Sequence, residues 1–142
     1  MTLYEIVDSF LNIAKNIPNI NYVGEGDIYC LNTLPNVNYG VFFITQTNHQ
    51  QSENTIKYTL TLFYVDRLKS DSSNKLKIQS TGITTLGNII NIFSMRNEEV
   101  DIDYDIQYTT FLQRFADECS GVFCNVTITA PNGVGICGFE YN

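Results

Sequence analysis

The sequence predicts an α+β fold in which an antiparallel sheet with a long β-hairpin carries two helices packed on one face. Three observations lead there. Thr2 to Ile17 repeats apolar residues at helical spacing, and Tyr39 to Leu68 holds two β-rich runs around a polar hexapeptide. A second helical pattern, Asp71 to Asn97, is then followed by two segments of alternating character.

In the first segment Leu3, Ile6, Val7, Phe10, Leu11, Ala14 and Ile17 mark one helical face. Thr2 is placed to cap that helix, and Glu5, three residues on, to bond back in a capping box. Pro18 stops it, having no amide donor and a ring that clashes with the preceding turn. Asn19 to Asn38 is rich in Asn, Gly and Pro, with a short strand expected at Asp27 to Leu31.

Tyr39 to Thr47 and Asn54 to Leu68 are dense in β-branched and aromatic residues and read as the two hairpin strands. Between them Asn48, His49, Gln50, Gln51, Ser52 and Glu53 show no pattern, so a wet, mobile tip is expected. On the second strand Ile56, Tyr58, Leu60, Leu62 and Tyr64 share the face expected to meet the helices. Lys57, Thr59, Thr61, Phe63 and Val65 share the other, where Phe63 and Val65 make an apolar patch expected to be wet on an isolated chain and to mark an interface.

Asp71, Ser72, Ser73 and Asn74 offer caps for a second helix, whose face is expected to run through Leu76, Ile83, Leu86, Ile90 and Phe93 and to end near Met95 to Asn97. Gly82 and Gly87 weaken it, which points to close packing against a neighbour. Val100, Ile102, Tyr104, Ile106 and Tyr108 alternate with acidic and polar residues, as on a strand with one wet face. Gly121 to Ala130 places Val122, Cys124, Val126 and Ile128 on one side of a further strand, closed by a turn at Pro131-Asn132-Gly133. The Gly-rich end, Val134 to Asn142, reads as a short strand or a tail ordered by a neighbour.

At 142 residues, with 44% hydrophobic and 16% charged residues, the chain suits one core in one domain. Eight Lys and Arg against fifteen Asp and Glu give a net charge of -7, the wrong sign for gripping phosphates or an anionic membrane. No basic segment precedes an apolar run at the N-terminus and no run approaches a membrane span, so a soluble protein made in a cytoplasm is expected. Cys30, Cys119, Cys124 and Cys137 lack metal-site spacing and are expected to be reduced thiols, although Cys119 and Cys124 are near enough in sequence to approach each other.

The chemical motifs are incomplete. Asp101-Ile102-Asp103-Tyr104-Asp105 begins like a calcium loop, but Ile106 stands where the turn Gly belongs and Leu112 where the bidentate Glu belongs. His49 sits among amides, and no GxSxG-type motif offers a nucleophile. Gly24-Glu25-Gly26 lacks the Lys and spacing of a phosphate loop and reads as a turn. Asn125-Val126-Thr127 matches a glycosylation acceptor but is expected to be unmodified strand. No catalytic residue, metal ligand or cofactor is therefore assigned.

Asp27-Ile28-Tyr29, Val41-Phe42-Phe43-Ile44-Thr45, Leu62-Phe63-Tyr64-Val65-Asp66-Arg67-Leu68 and Phe115-Ala116-Asp117-Glu118-Cys119-Ser120-Gly121-Val122-Phe123 resemble small virion proteins of crAss-like phages of Bacteroidetes. The order of elements is similar to that of phage tail-terminator and tail-completion proteins. The resemblance implies a structural, non-enzymatic virion protein made in the host bacterial cytoplasm. It would repeat as a homo-oligomeric ring in the head-to-tail connector or tail, beside portal, ring or tail proteins, with DNA passing through unbound and no membrane contact. An acidic channel wall agrees with this, since it lets DNA slide. The alternatives from other classes are a small intracellular binding module with a single partner and an unrecognised hydrolase. On the ring reading the expected assembly contacts are Asn48, His49, Gln50, Gln51, Ser52 and Glu53, the patch of Phe63 and Val65, and Ile136, Phe139 and Tyr141 in the tail.

Overall fold

A computed structural model of the chain describes residues 1–27, 39–69, 71–114 and 118–131. Helix α1 (Leu3–Lys15) leads to strands β1 (Tyr22–Glu25), β2 (Val41–Gln51) and β3 (Thr55–Arg67). Helix α2 (Lys75–Arg96) follows, then strands β4 (Asp101–Ile102), β5 (Tyr108–Arg114) and β6 (Glu118–Pro131). The sheet runs β1, β2, β3, β6, with β4 and β5 sharing the outer edge of β6. The α+β class, the hairpin and the two helices on one face are those expected. The sheet, however, is mixed, because β1 lies parallel to β2 while the other described pairs are antiparallel. The expected strand at 27–31 falls mostly outside the described residues.

The capping box of α1 forms as its sequence dictates. The Thr2 hydroxyl accepts from the Glu5 amide at 3.2 Å, and the Glu5 carboxylate accepts from the Thr2 amide at 3.0 Å. That second bond holds the Glu5 carboxyl below its ordinary range. Ile6, Phe10, Ile13 and Ala14 are buried, with Leu3, Val7, Leu11 and Ile17 packed at the margin. Phe10 stacks on Phe93 of α2 with ring centroids 4.3 Å apart and planes 8° from parallel.

The face of α2 is rotated from the one its spacing predicts. Leu86, Ile90 and Phe93 are buried, but Leu76 and Ile83 are 74% and 40% exposed. The glycine explains the rotation. A Cβ on Gly82 would lie 2.4 Å from Val122 Cγ1 and 3.0 Å from Tyr64 Cδ1, so the backbone approaches the sheet only because no side chain is there. With Gly82 inward, Ile83 and Leu76 each lie about 100–120° round the helix and face out. The side-chain cap expected for α2 is also absent: Asn74 instead accepts from the Lys69 amide and donates to the Arg67 carbonyl, fastening the loop after β3.

The single alternating strand expected from Val100 to Tyr108 is two strands with a break. Asp103 accepts from the Asp105 amide at 3.0 Å, so a carboxylate turn competes with the ladder and the chain leaves the sheet until Tyr108. Val100 and Ile102 are buried, as alternation predicts, but Tyr104 is 59% exposed.

Both faces of the central strands are buried, which corrects the expectation of a wet patch. Leu60, Leu62 and Tyr64 of β3 join Val122, Cys124, Val126 and Ile128 of β6 beneath the helices. On the reverse face Phe63 and Val65 are only 9% and 1% exposed, clustered with Val41, Phe43 and Cys119. Gly121, in register with Val65 and Phe111, leaves room for this packing. A Cβ there would lie 2.8 Å from Phe111 Cζ, so the Phe111 ring covers the glycine and reaches Phe63, 6.3 Å between centroids. Phe123 completes the aromatic group, 5.5 Å from Phe63 and 6.1 Å from Phe111. Cys119 and Cys124 lie in the two different clusters, on opposite faces of β6, so they do not approach each other.

These contacts fix three outcomes. Phe10→Ala should lower stability by about 3–5 kcal/mol, read from the denaturant midpoint, as truncation of a buried, stacked aromatic does. Gly82→Ala should cost more than about 1 kcal/mol by overpacking. Gly87→Ala, whose Cβ would meet only the Tyr108 hydroxyl at 3.4 Å, should gain about 0.5–1 kcal/mol instead.

A fourth outcome concerns pH. Burial pushes the Cys124 thiol from its ordinary 9.0 up to about 12, and raises the Tyr64 and Tyr108 hydroxyls for the same reason. Each is protonated in the folded state and more acidic when unfolded. Their contribution is whole below the unfolded pKa values and lost as pH rises towards the folded ones. Stability should therefore fall between pH 9.0 and about 12, and less steeply in Cys124→Ala. An equal slope in wild type and variant would remove the thiol from the cause.

Candidate functional site

The most prominent polar feature is the distal half of the β2–β3 hairpin. β1 accompanies β2 only from Val41 to Ile44, and beyond that row the outer edge of β2 has no neighbour among the described strands. Residues Gln46 to Asn54 are all exposed. The unpatterned loop expected at Asn48 to Glu53 proves to be mostly strand, since Asn48, His49, Gln50 and Gln51 continue β2. The Ser52 amide donates to the Thr55 carbonyl at 2.8 Å, leaving Glu53 and Asn54 as a two-residue turn. Polar residues hold a strand here because β3 sets the backbone register, and β3 is itself fixed by β6 as far as Thr55.

A β-bulge between Gln46 and His49 shifts the register, and the Thr47 hydroxyl donates to the Thr59 carbonyl at 2.9 Å beside it. The His49 ring meets Tyr58 edge-on at 5.4 Å, and its Nε2 lies 3.2 Å from Gln46 Oε1. The arm thus presents an imidazole, carboxamides, the Ser52 hydroxyl, the Glu53 carboxylate and a strand edge that no described strand covers. Such a surface can hydrogen-bond to another chain, side chain to side chain or by strand addition.

The structure brings Asn48, His49, Gln50, Gln51, Ser52 and Glu53 together on this arm. It separates them from Phe63 and Val65, which are buried in the rows of Phe43 and Val41 and offer almost no surface. Ile136, Phe139 and Tyr141 lie outside the described residues, as do Cys30 and Cys137. Sequence spacing also missed the exposed apolar side chains of Tyr4, Leu76, Ile83, Met95, Tyr104 and Leu112. One signal was present: between Lys77 and Arg96 the second helix carries no charge at all.

Two clefts flank the arm and the helices. One, about 300 Å³, lies between α1 and the base of the arm and is lined by Leu3, Tyr4, Val7, Leu11, Glu25 and Gln46. The other, about 400 Å³, is bordered by Asn19, Asn21, Tyr64, Asp66, Lys69 and Lys77. Much of its polarity is used internally. The Asn19 amide donates to the Thr85 hydroxyl at 3.0 Å and the Tyr64 hydroxyl at 3.4 Å, and Asn21 donates to the Tyr39 carbonyl at 2.6 Å. These bonds tie the segment after α1 to β3, to α2 and to the entry of β2, a structural use of groups that otherwise resemble a ligand site.

Among the described residues no group of three or more His, Cys, Asp or Glu is arranged to hold a metal ion, and no helix is long and apolar enough to cross a membrane. No protein-family model matches the sequence, and no curated protein matches it.

Proposed function

We propose that the chain is a structural virion protein, a subunit of a homo-oligomeric ring in a phage head-to-tail connector or tail. Its partners are further copies of itself and neighbouring portal, ring or tail proteins, and DNA passes through the ring without specific binding. The observation that carries this reading is the β2–β3 arm. It continues past the last row of β1 with every side chain from Gln46 to Asn54 exposed and with one strand edge unpaired among the described strands. An exposed edge invites pairing and is normally short, charged or covered. Here the distal part of β2, from Thr45 to Gln51, carries no Asp, Glu, Lys or Arg. A neighbouring copy that covers it in a ring meets the same arm in turn, because head-to-tail contacts repeat until the rotation closes. The net charge of -7 supports passage of DNA rather than its capture.

The test is assembly of the purified chain, followed by native mass spectrometry and electron microscopy. Closed rings of fixed copy number are expected, whereas a chain that stays monomeric alone and with its virion neighbours would overturn the reading. Replacing Gln50, Ser52 and Glu53 by lysine should leave the unfolding midpoint within about 0.5 kcal/mol per site, since all three are exposed. The variant should lose the rings. Rings of unchanged copy number in that variant would show that the arm is not the contact.

A further inference from the structure

We propose that α2 is a second docking surface whose occupant is the α2 of another copy, packed antiparallel across a two-fold axis near the middle of the helix. This goes beyond the ring reading and does not depend on it, since a two-fold pair joins two subunits, or two rings, and cannot propagate round one.

The outer face of α2 is not built for water. A surface helix ordinarily carries charged residues opposite its buried stripe. Between Lys77 and Arg96 this one carries none, and its exposed positions include Ile83, Thr84, Asn88, Asn91 and Met95. Leu76 and Met95, 74% and 77% exposed, stand one residue inside the two ends of the helix. In an antiparallel pair centred on the helix, Leu76 of each copy therefore meets Met95 of the other, and Thr84 approaches its own counterpart at the axis. That reciprocity is what an isologous contact requires.

Charge selects the orientation. Lys69, Lys75 and Lys77 are exposed at the N-terminal end of α2. Asp66 and Asp71 share that end, accepting the Arg67 amide at 2.8 Å and the Ser73 amide at 3.0 Å, but the three lysines with Arg67 outnumber them. At the other end, about 33 Å away for a helix of 22 residues, Glu98, Glu99, Asp101, Asp103 and Asp105 are exposed around Arg96. Both sets run against the dipole of the helix that carries them, which favours anions at the N-terminus and cations at the C-terminus. Within one copy the arrangement is unfavourable. In an antiparallel pair the basic end of each α2 meets the acidic end of the other and the two dipoles oppose, whereas a parallel pair would set like against like.

The experiment uses single cysteines and a short bismaleimide, with wild type as the background for the native thiols. Thr84→Cys should cross-link to itself as a dimer. Leu76→Cys copies, about 28 Å apart across the axis, should not. An equal mixture of Leu76→Cys and Met95→Cys should cross-link as a heterodimer. Thr84→Arg, a change at an exposed position, should keep the circular dichroism spectrum and raise the dimer dissociation constant about tenfold or more. High salt should weaken the wild-type pair. Absence of Thr84→Cys dimers in folded protein, or Thr84→Arg protein that pairs as tightly as wild type, overturns the proposal. Rings without the cross-link would overturn this pairing alone; the cross-link in protein that never forms rings supports the pairing and overturns the ring reading.

Discussion

The unbroken ladder between β3 and β6, from Thr55 opposite Pro131 to Arg67 opposite Cys119, is the constraint on which the remaining structure depends. It joins segments that are far apart in sequence, with α2, β4 and β5 between them, so the loop-closure cost is met only when both faces of the ladder are covered. One face is covered by α1 and α2, the other by the aromatic group of Phe63, Phe111 and Phe123 with its aliphatic neighbours. Two glycines make this geometry feasible. Gly82 lets α2 come down onto Tyr64 and Val122, and Gly121 lets Phe111 lie across the strand. Each is a place where removing a side chain improves the packing of larger ones.

The ladder also explains why a polar arm holds its shape. Because β6 supports β3 as far as Thr55, β2 can pair with β3 beyond the last row of β1 and carry Asn48 to Gln51 in extended form. Among the described residues two surfaces then remain open: a hydrogen-bonding arm with little apolar content, and a helix face with apolar positions and no charge between Lys77 and Arg96. They differ in physical character. An arm of amides gives directional bonds that set register, and a helix face gives apolar contact steered by the charges at its ends. A subunit of the proposed ring has use for both, one contact for closing a ring and another for joining it to what lies above or below.

Much of the fold was legible in the residues. The capping box of Thr2 and Glu5, the stop at Pro18, the paired strands on either side of the hairpin and the inward row of Val122, Cys124, Val126 and Ile128 all follow from local spacing. These are decided by short-range chemistry and by the period of each element. The candidate site was only half legible: residues 48–53 do lie together on the exposed arm, but Phe63 and Val65 do not belong with them.

What the sequence by itself determined is the class of the fold, the identity of most elements and which residues of a strand share a face. Only the tertiary structure decided whether a face is wet. Alternation placed Phe63 and Val65 on the side away from the helices, yet Phe111, supplied from β5 across Gly121, is part of what buries that side, and no local pattern encodes that meeting. The same reason governs α2. Periodicity admits several adjacent stripes as the buried one, and the choice fell to Gly82 because only there can the backbone reach the sheet, which turned Leu76 and Ile83 outward. Local sequence sets what a segment can present; contacts between distant segments set what it buries.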